Sequence, residues 1–263
     1  MALEKHILER AGANIHYWLG GKADAPLVVF THGATIDHHE WDADVLPVLT
    51  EFSVLVWDVR AHGLSRPAAF HFQDAVGDLA ALIERHSDAP AVLVGHSMGG
   101  NLSQELAFQR PELARAMLCL DCTWNFQRLS ALEKAGLAAA GPIFKLYPYE
   151  ILIRQSLDIT VTNPQGREIL ERAVRPLSKQ DYIAIMLDLA GCLHEEPNYV
   201  FGSPLWLLMG EYESTGNISK AMPLWAEHEP LSRFIIVPGA KHAANLDNPE
   251  FFQEKLLEFL RSI

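Results

Sequence analysis

The chain has 263 residues, 49% of them apolar and 21% charged, which suits one large globular domain, or one domain with an insertion, with ample material for a core. Its 33 acidic residues outnumber 21 basic ones, and a net charge of −12 repels phosphate backbones and anionic lipid, so neither nucleic acid nor a membrane surface is an expected partner. The opening MALEKHILERAG alternates charged with apolar residues and lacks the unbroken apolar core of a signal peptide, and no stretch is long enough to span a bilayer; a soluble, cytoplasmic protein is expected.

Along the first half, strand-like and helix-like patterns alternate. NIHYWLG (14–20) has strand composition, and PLVVFTHG (26–33) is a short continuous apolar run, as expected of a strand covered on both faces. DHHEWDADVLPVLTE (37–51) reads as a helix capped by Asp37, with Glu40 completing a capping-box-like pair. SVLVWDVRAHG (53–63) is a buried strand and loop, and FQDAVGDLAALIERH (72–86) a helix. PAVLVG (90–95) is a third buried strand, NLSQELAFQR (101–110) a helix and ARAMLCLD (114–121) a fourth strand. Apolar strands alternating with helices predict a mostly parallel sheet flanked by helices.

That rhythm breaks after Asp121. Residues 122–203 are mainly helical, interrupted by AAAGP and YPY, with GREILERAV (166–174) and KQDYIAIMLDLAG (179–191) at helical spacing. Strand–helix alternation resumes with PLWLLMGE (204–211), ISKAMPLWAEH (218–228) and RFIIVPG (233–239). A final helix follows Asn248 as N-cap and Pro249, with Phe252, Leu256, Phe259 and Leu260 on one face. An α/β core of residues 1–121 and 204–263, carrying a helical insertion at 122–203, is the expected organisation.

Among the three cysteines, Cys119 and Cys122 form a C-x-x-C, but Cys119 lies in an apolar run and only Cys192 remains as a further ligand, so buried, inert thiols are expected. His38 and His39 are adjacent on the expected helix, which would point them apart, and no H-x-x-x-H follows, so no metal site is expected there.

The chemistry concentrates in Gly95-His96-Ser97-Met98-Gly99, a G-x-S-x-G between a strand and a helix. A turn that sharp brings the residues two before and two after the serine together, which requires Gly95 and Gly99. It strains Ser97, projects its hydroxyl, and aims the Met98 nitrogen where an oxyanion would form. His96 is expected to be a packing residue. A serine hydroxyl needs a base, and the base an orienting acid. Of twelve histidines, His242 stands in the loop directly after the last strand. Glu211 and Glu213 lie just past another strand end, and Asp121 ends the strand after the nucleophile helix. The order Ser97, Glu213, His242 runs serine–acid–histidine.

With these segments in order, the sequence resembles the α/β-hydrolase superfamily, in particular its capped, esterase-like members, over nearly the whole chain outside the insertion. FTHGA (30–34) is similar to the family's His-Gly oxyanion loop and DVRAHGLS (58–65) to its D-x-R-G-H-G-x-S segment, with Ala61 in place of a glycine. GHSMGG (95–100) matches the nucleophile elbow, GEYE (210–213) falls at G-x-x-D and PGAKH (238–242) at the histidine loop. The resemblance implies Ser97 as nucleophile, His242 as base, and the backbone nitrogens of Ala34 and Met98 as oxyanion hole. It implies structural roles for His32, Arg60 and His62. For the acid it favours Glu213 in place of the usual aspartate, with Asp121 as rival and Glu211 third.

It further implies hydrolysis of a small, apolar carboxylic ester through an acyl-enzyme, with no metal or organic cofactor and with the helical insertion as a lid. Trp124, just past a strand end, is the expected substrate-lining residue of that insertion, among aromatics that include Phe144, Tyr147 and Tyr149. A lactone, thioester or carbon–carbon bond next to a carbonyl, or a low-turnover receptor that retains the triad, are the alternatives. A serine at the elbow speaks against the epoxide-hydrolase and haloalkane-dehalogenase branches, which use a carboxylate there.

Overall fold

Five continuous apolar runs form the middle of one eight-stranded sheet. The computed structural model describes residues 3–263; Met1 and Ala2, the first two residues of the charged opening segment, lie outside the described residues. The strands are β1 (Glu4–Arg10), β2 (Ala13–Gly21), β3 (Leu27–Thr31), β4 (Ser53–Trp57), β5 (Ala91–His96), β6 (Ala114–Leu120), β7 (Leu205–Gly210) and β8 (Ser232–Val237). They are ordered β1-β2-β4-β3-β5-β6-β7-β8. β1 pairs antiparallel with β2 and β2 with β4, and every later pair is parallel.

The helices in chain order are α1 (Val45–Val48), α2 (Phe72–His86) and α3 (Met98–Gln109), then α4 (Ala131–Leu146), α5 (Tyr149–Thr160), α6 (Pro164–Val174) and α7 (Lys179–Leu189), then α8 (Ile218–His228), α9 (Ala244–Asp247) and α10 (Pro249–Arg261). Alternate strand residues serve two cores. Val29, Leu55, Leu93 and Leu207 face Leu79, Ile83, Leu102, Leu106 and Met222 on one side. Val28, Phe30, Val94 and Leu208 face Trp41, Phe252, Leu256 and Phe259 on the other. Each such side chain contributes about 1.5–3 kcal/mol by leaving water. No helix among the described residues is long and apolar enough to cross a membrane.

Three local expectations change. β1 forms an edge hairpin with β2 across Gly12, at φ 74°, where the opening segment carried no strand expectation. Residues 37–51 are not one helix but a 3₁₀ turn, His38–Trp41, followed by the single turn α1. Asp37 does cap that turn, accepting from His39 N at 3.1 Å, whereas Glu40 leaves the capping box, turns inward and accepts from Gly33 N at 3.1 Å. AAAGP does not interrupt the inserted segment either, since α4 runs through it with Pro142 inside.

Beneath the chain segment that follows β8, buried Asp44 accepts from Asn245 Nδ2 and Gln253 Nε2, both at 3.1 Å, and so ties the start of α1 to α9 and α10. Burial raises its carboxyl from 3.8 to about 7, against those two hydrogen bonds. Between these values the folded form keeps a proton that the unfolded chain has released, so stability from this group falls as pH rises from about 4 to 7, by at most about 4 kcal/mol. Asp44→Asn, neutral throughout, is expected to lose this component. Thermal melts at pH 5 and pH 8 should show a smaller drop in Tm for the variant than for wild type, and parallel drops would contradict the assignment.

Candidate active site

Ser97 is the single residue between β5 and α3, at φ 48° and ψ −114°, a left-handed conformation that costs a non-glycine residue about 1–3 kcal/mol. The glycines around it stand at contact points. A Cβ on Gly95 would lie 2.4 Å from the Gly99 carbonyl carbon, one on Gly99 2.1 Å from Thr31 O, and one on Gly100 2.5 Å from Cys122 Sγ. Ser97 N donates to Leu120 O at 2.9 Å and Ser97 O accepts from Asn101 N at 3.1 Å, so the bend is pinned on both sides.

The Ser97 hydroxyl lies 3.0 Å from His242 Nε2, and His242 Nδ1 lies 2.6 Å from Glu213 Oε2. With a carboxylate on Nδ1, that nitrogen carries the proton and Nε2 is free to accept from the hydroxyl. The other Glu213 oxygen accepts the Thr215 N–H. Burial alone would raise the Glu213 carboxyl, but the facing imidazole and the Thr215 hydrogen bonds hold it below its ordinary value.

Asp121 does not reach His242. It is fully buried at φ 43°, and its Oδ1 accepts Gly210 N at 2.7 Å while Oδ2 has no partner among the described residues. Burial and the neighbouring Glu213 charge push its carboxyl well above the ordinary value. Glu211 is exposed and accepts Gly239 N at 2.8 Å. Of the three candidate acids, Glu213 is the one in contact with His242.

Among the described residues, the N–H groups of Ala34 and Met98 donate to no other group, and Met98 N–H belongs to the open first turn of α3. His32 and His62 serve the backbone. His32 donates Nδ1–H to Gly33 O at 2.7 Å and accepts Val59 N–H at 3.0 Å, and burial lowers its pKa to about 3. His62 donates to Arg60 O at 2.9 Å and is lowered by burial to about 4. Arg60 grips Asp78 with two hydrogen bonds, of 2.7 and 3.0 Å.

A cavity of about 990 Å³ opens over Ser97 and His242, walled mainly by Leu137, Phe144, Leu157, Met186 and Leu189 from α4, α5 and α7. The expectation for Trp124 is not met. Thr123 reaches the cavity, while the Trp124 ring packs on His228, with centroids 4.8 Å apart. Of the other aromatics named, Phe144 lines the cavity, Tyr147 is exposed and Tyr149 donates to Leu177 O.

Cys119, Cys122 and Cys192 are free and buried, and burial raises the thiols of Cys122 and Cys192. His38 and His39 do not point apart, because the 3₁₀ turn brings their rings to 4.0 Å. With Asp37 they can place three ligand atoms within 4.8 Å of one another, but His38 Nδ1 is already 2.8 Å from Asp58 Oδ1 and its ring stacks on Trp18. Sequence reasoning missed Glu40 and took His96 for a packing residue; the two are buried together 2.5 Å apart beside Ser97 and His242. A buried glutamate within an otherwise helix-like run carries no pattern that marks it.

Comparison with known proteins identifies the family and the fold. Residues 28–254 match the Alpha/beta hydrolase family. The chain is 26% identical over 253 residues to 2-(acetamidomethylene)succinate hydrolase of Mesorhizobium japonicum, covering 91% of this chain and 89% of that protein. Its backbone is similar to a thermophilic esterase of Thermogutta terrifontis, with a TM-score of 0.82 at 20% identity over 100% of this chain and 99% of that one. It is also similar to the enol-lactonase of Burkholderia xenovorans, with a TM-score of 0.81 at 17% identity over 97% and 100%. An eight-stranded sheet in this order, a serine at a strained strand-to-helix bend and a family match across most of the sequence lead to one conclusion. The chain is a hydrolase that belongs to the alpha/beta hydrolase family.

Proposed function

We propose that this hydrolase cleaves small carboxylic esters through an acyl-enzyme on Ser97. The observation that carries the reading is the unbroken relay from Ser97 Oγ through His242 to Glu213, at 3.0 and 2.6 Å, at the floor of an apolar cavity. As Ser97 Oγ attacks the ester carbonyl, His242 Nε2 takes its proton, and Glu213 stabilises the imidazolium that results. The oxyanion is held by the N–H groups of Ala34 and Met98, both without a partner among the described residues. His242 returns the proton to the leaving alcohol, the tetrahedral centre collapses to the acyl-enzyme, and water repeats the cycle.

None of these steps draws on a metal or organic cofactor. Residues 122–203 act as the lid, and their apolar wall favours an apolar acyl or alkyl group. The net charge of −12 favours a dissolved small molecule over nucleic acid or anionic lipid, and the cytoplasm is the setting this reading assigns.

A fluorophosphonate probe is expected to label Ser97, and Ser97→Ala to lose about 10⁴-fold or more in kcat on a short chromogenic ester. Labelling without steady turnover would favour a receptor, and undiminished turnover by the variant would remove the mechanism. For the acid, Glu213→Gln should cost about 10³–10⁴-fold in kcat, whereas Asp121→Asn, whose amide oxygen can still accept Gly210 N–H, should cost less than about tenfold. The reverse ranking, in folded variants, would transfer the role to Asp121. Across p-nitrophenyl esters from acetate to octanoate, with lactones and thioesters beside them, kcat/KM should rise by up to about fourfold per methylene while the chain still enters the cavity. A steady fall from acetate onward would contradict an apolar acyl pocket.

A further inference from the structure

Three chain segments around Ser97 meet on two buried side chains that take no part in the relay. Glu40, in the 3₁₀ turn after β3, and His96, the last residue of β5, are each 1% exposed. One Glu40 oxygen accepts the N–H of Gly33, next to Ala34, at 3.1 Å. The other lies 2.5 Å from His96 Nδ1, an ion-pair contact off the N–H axis. On the opposite side of that ring, Nε2 lies 2.9 Å from the main-chain carbonyl of His242. Asn245 Nδ2, three residues beyond His242, donates to the Glu40 carbonyl at 3.4 Å.

Both neighbours of the His96 ring are acceptors. A carbonyl only accepts, so Nε2 carries hydrogen, and a carboxylate beside Nδ1 favours a second proton there and with it the imidazolium form of His96. The titratable groups facing it are Glu40 from the 3₁₀ turn, Glu213 from the segment after β7, and the His242 ring, with centroids 4.9 Å apart. Burial disfavours the charge, yet Glu40, the His242 carbonyl and Glu213 outweigh it and raise the pKa above its ordinary value. Contact with the oxyanion loop is direct, since a Cβ on Gly33 would stand 2.7 Å from His96 Nδ1.

We propose that Glu40 and His96 are positioning residues, a buried ion pair that holds the Gly33–Ala34 backbone and the His242 backbone in register with Ser97. This rests on the serine-hydrolase reading above. The pair touches no substrate. It fixes where the Ala34 N–H and the His242 ring stand, so its loss should be felt where the oxyanion develops rather than in substrate binding.

Three measurements test this. In imidazole ¹H–¹⁵N NMR of the wild-type protein at neutral pH, assigned by comparison with His96→Gln, His96 should show both ring N–H groups. A singly protonated ring overturns the ion pair, whatever the enzyme's activity. In kinetics on the ester substrate, Glu40→Gln should lower kcat by about 10–100-fold with KM within about threefold. Affinity for an alkyl boronic acid that forms a tetrahedral adduct on Ser97 should fall by the same factor, and Glu40→Asp should recover part of the loss. A folded Glu40→Gln with kcat within twofold of wild type overturns the positioning role. If Glu40→Gln fails to fold, Glu40→Asp and the wild-type spectrum supply the same decision. Turnover surviving in Ser97→Ala would sink the hydrolase mechanism while leaving the His96 spectrum unchanged, so the two failures are distinct.

Discussion

Close approach of the α3 N-terminus to the ends of β3 and β5 governs where the other reactive groups stand. Gly99 lies against Thr31 O and Gly95 against Gly99, at separations that leave no room for a methyl group. The parallel ladder aligns the ends of the neighbouring strands with this bend. Thr31 pairs with Gly95, His96 with Leu120, and Leu120 with Leu208. Residues just past those ends therefore gather along one edge of the sheet, as ligand-binding groups do in open α/β folds. Ala34 follows β3, Ser97 β5, Glu213 β7 and His242 β8. The strain in Ser97 is held by a helix start and a strand end packed too tightly to let it relax.

Two carboxyl groups near that edge, Glu213 and Asp121, separate by environment. Asp121 is one residue past β6, and its short side chain turns back to Gly210 N, at the end of β7. Gly210 in turn lies under the chain that leads to His242, since a Cβ there would sit 2.1 Å from Lys241 O. Asp121 thus fixes the start of the loop that carries Glu213 instead of the imidazole. Glu213, three residues further on, has the additional methylene to reach Nδ1 while its second oxygen is held by the Thr215 N–H. Buried carboxylates close together cannot both stay ionised cheaply, and the one facing the imidazole keeps the charge while the one without a cationic partner is pushed toward its neutral form.

Much of this was legible in the sequence, because glycines that serve contact points and strands buried on both faces leave local marks. The boundaries of α2 follow directly from its periodicity, and the glycines and strand ends marked the positions of Ser97, His242 and Glu213, which the structure brings together. What was not legible lacks a local mark. β1 is an edge strand whose exposed face carries charges, so EKHILER shows no buried run. The 37–51 stretch has helical spacing, but Trp41 and Glu40 are drawn inward by tertiary partners, Phe30 and Phe252 for the indole, Gly33 and His96 for the carboxylate. AAAGP suggested a break from its proline, yet alanine-rich α4 carries Pro142 within an ordered helix. Trp124 was placed near the substrate by chain position alone, and chain position does not say which way a side chain turns.

The helices between β6 and β7 are bonded into the segment that carries His242. Ala243 N, next to His242, donates to Thr160 O at 2.8 Å, and Asp247 Oδ1 accepts the N–H groups of Thr162 and Asn163 at 2.7 and 2.8 Å. The connection between α5 and α6 is thereby tied to the loop that carries the imidazole. At the other end, α4 reaches the core through Glu133, which accepts from Asn217 Nδ2 at 3.1 Å. Leu132 and Leu146, near its two ends, stand 83% and 84% exposed. Holding forces are therefore uneven along the insertion, dense beside His242 and sparse along α4. The α5–α6 connection therefore bears on the loop that carries His242, whereas the outer face of α4 meets few partners.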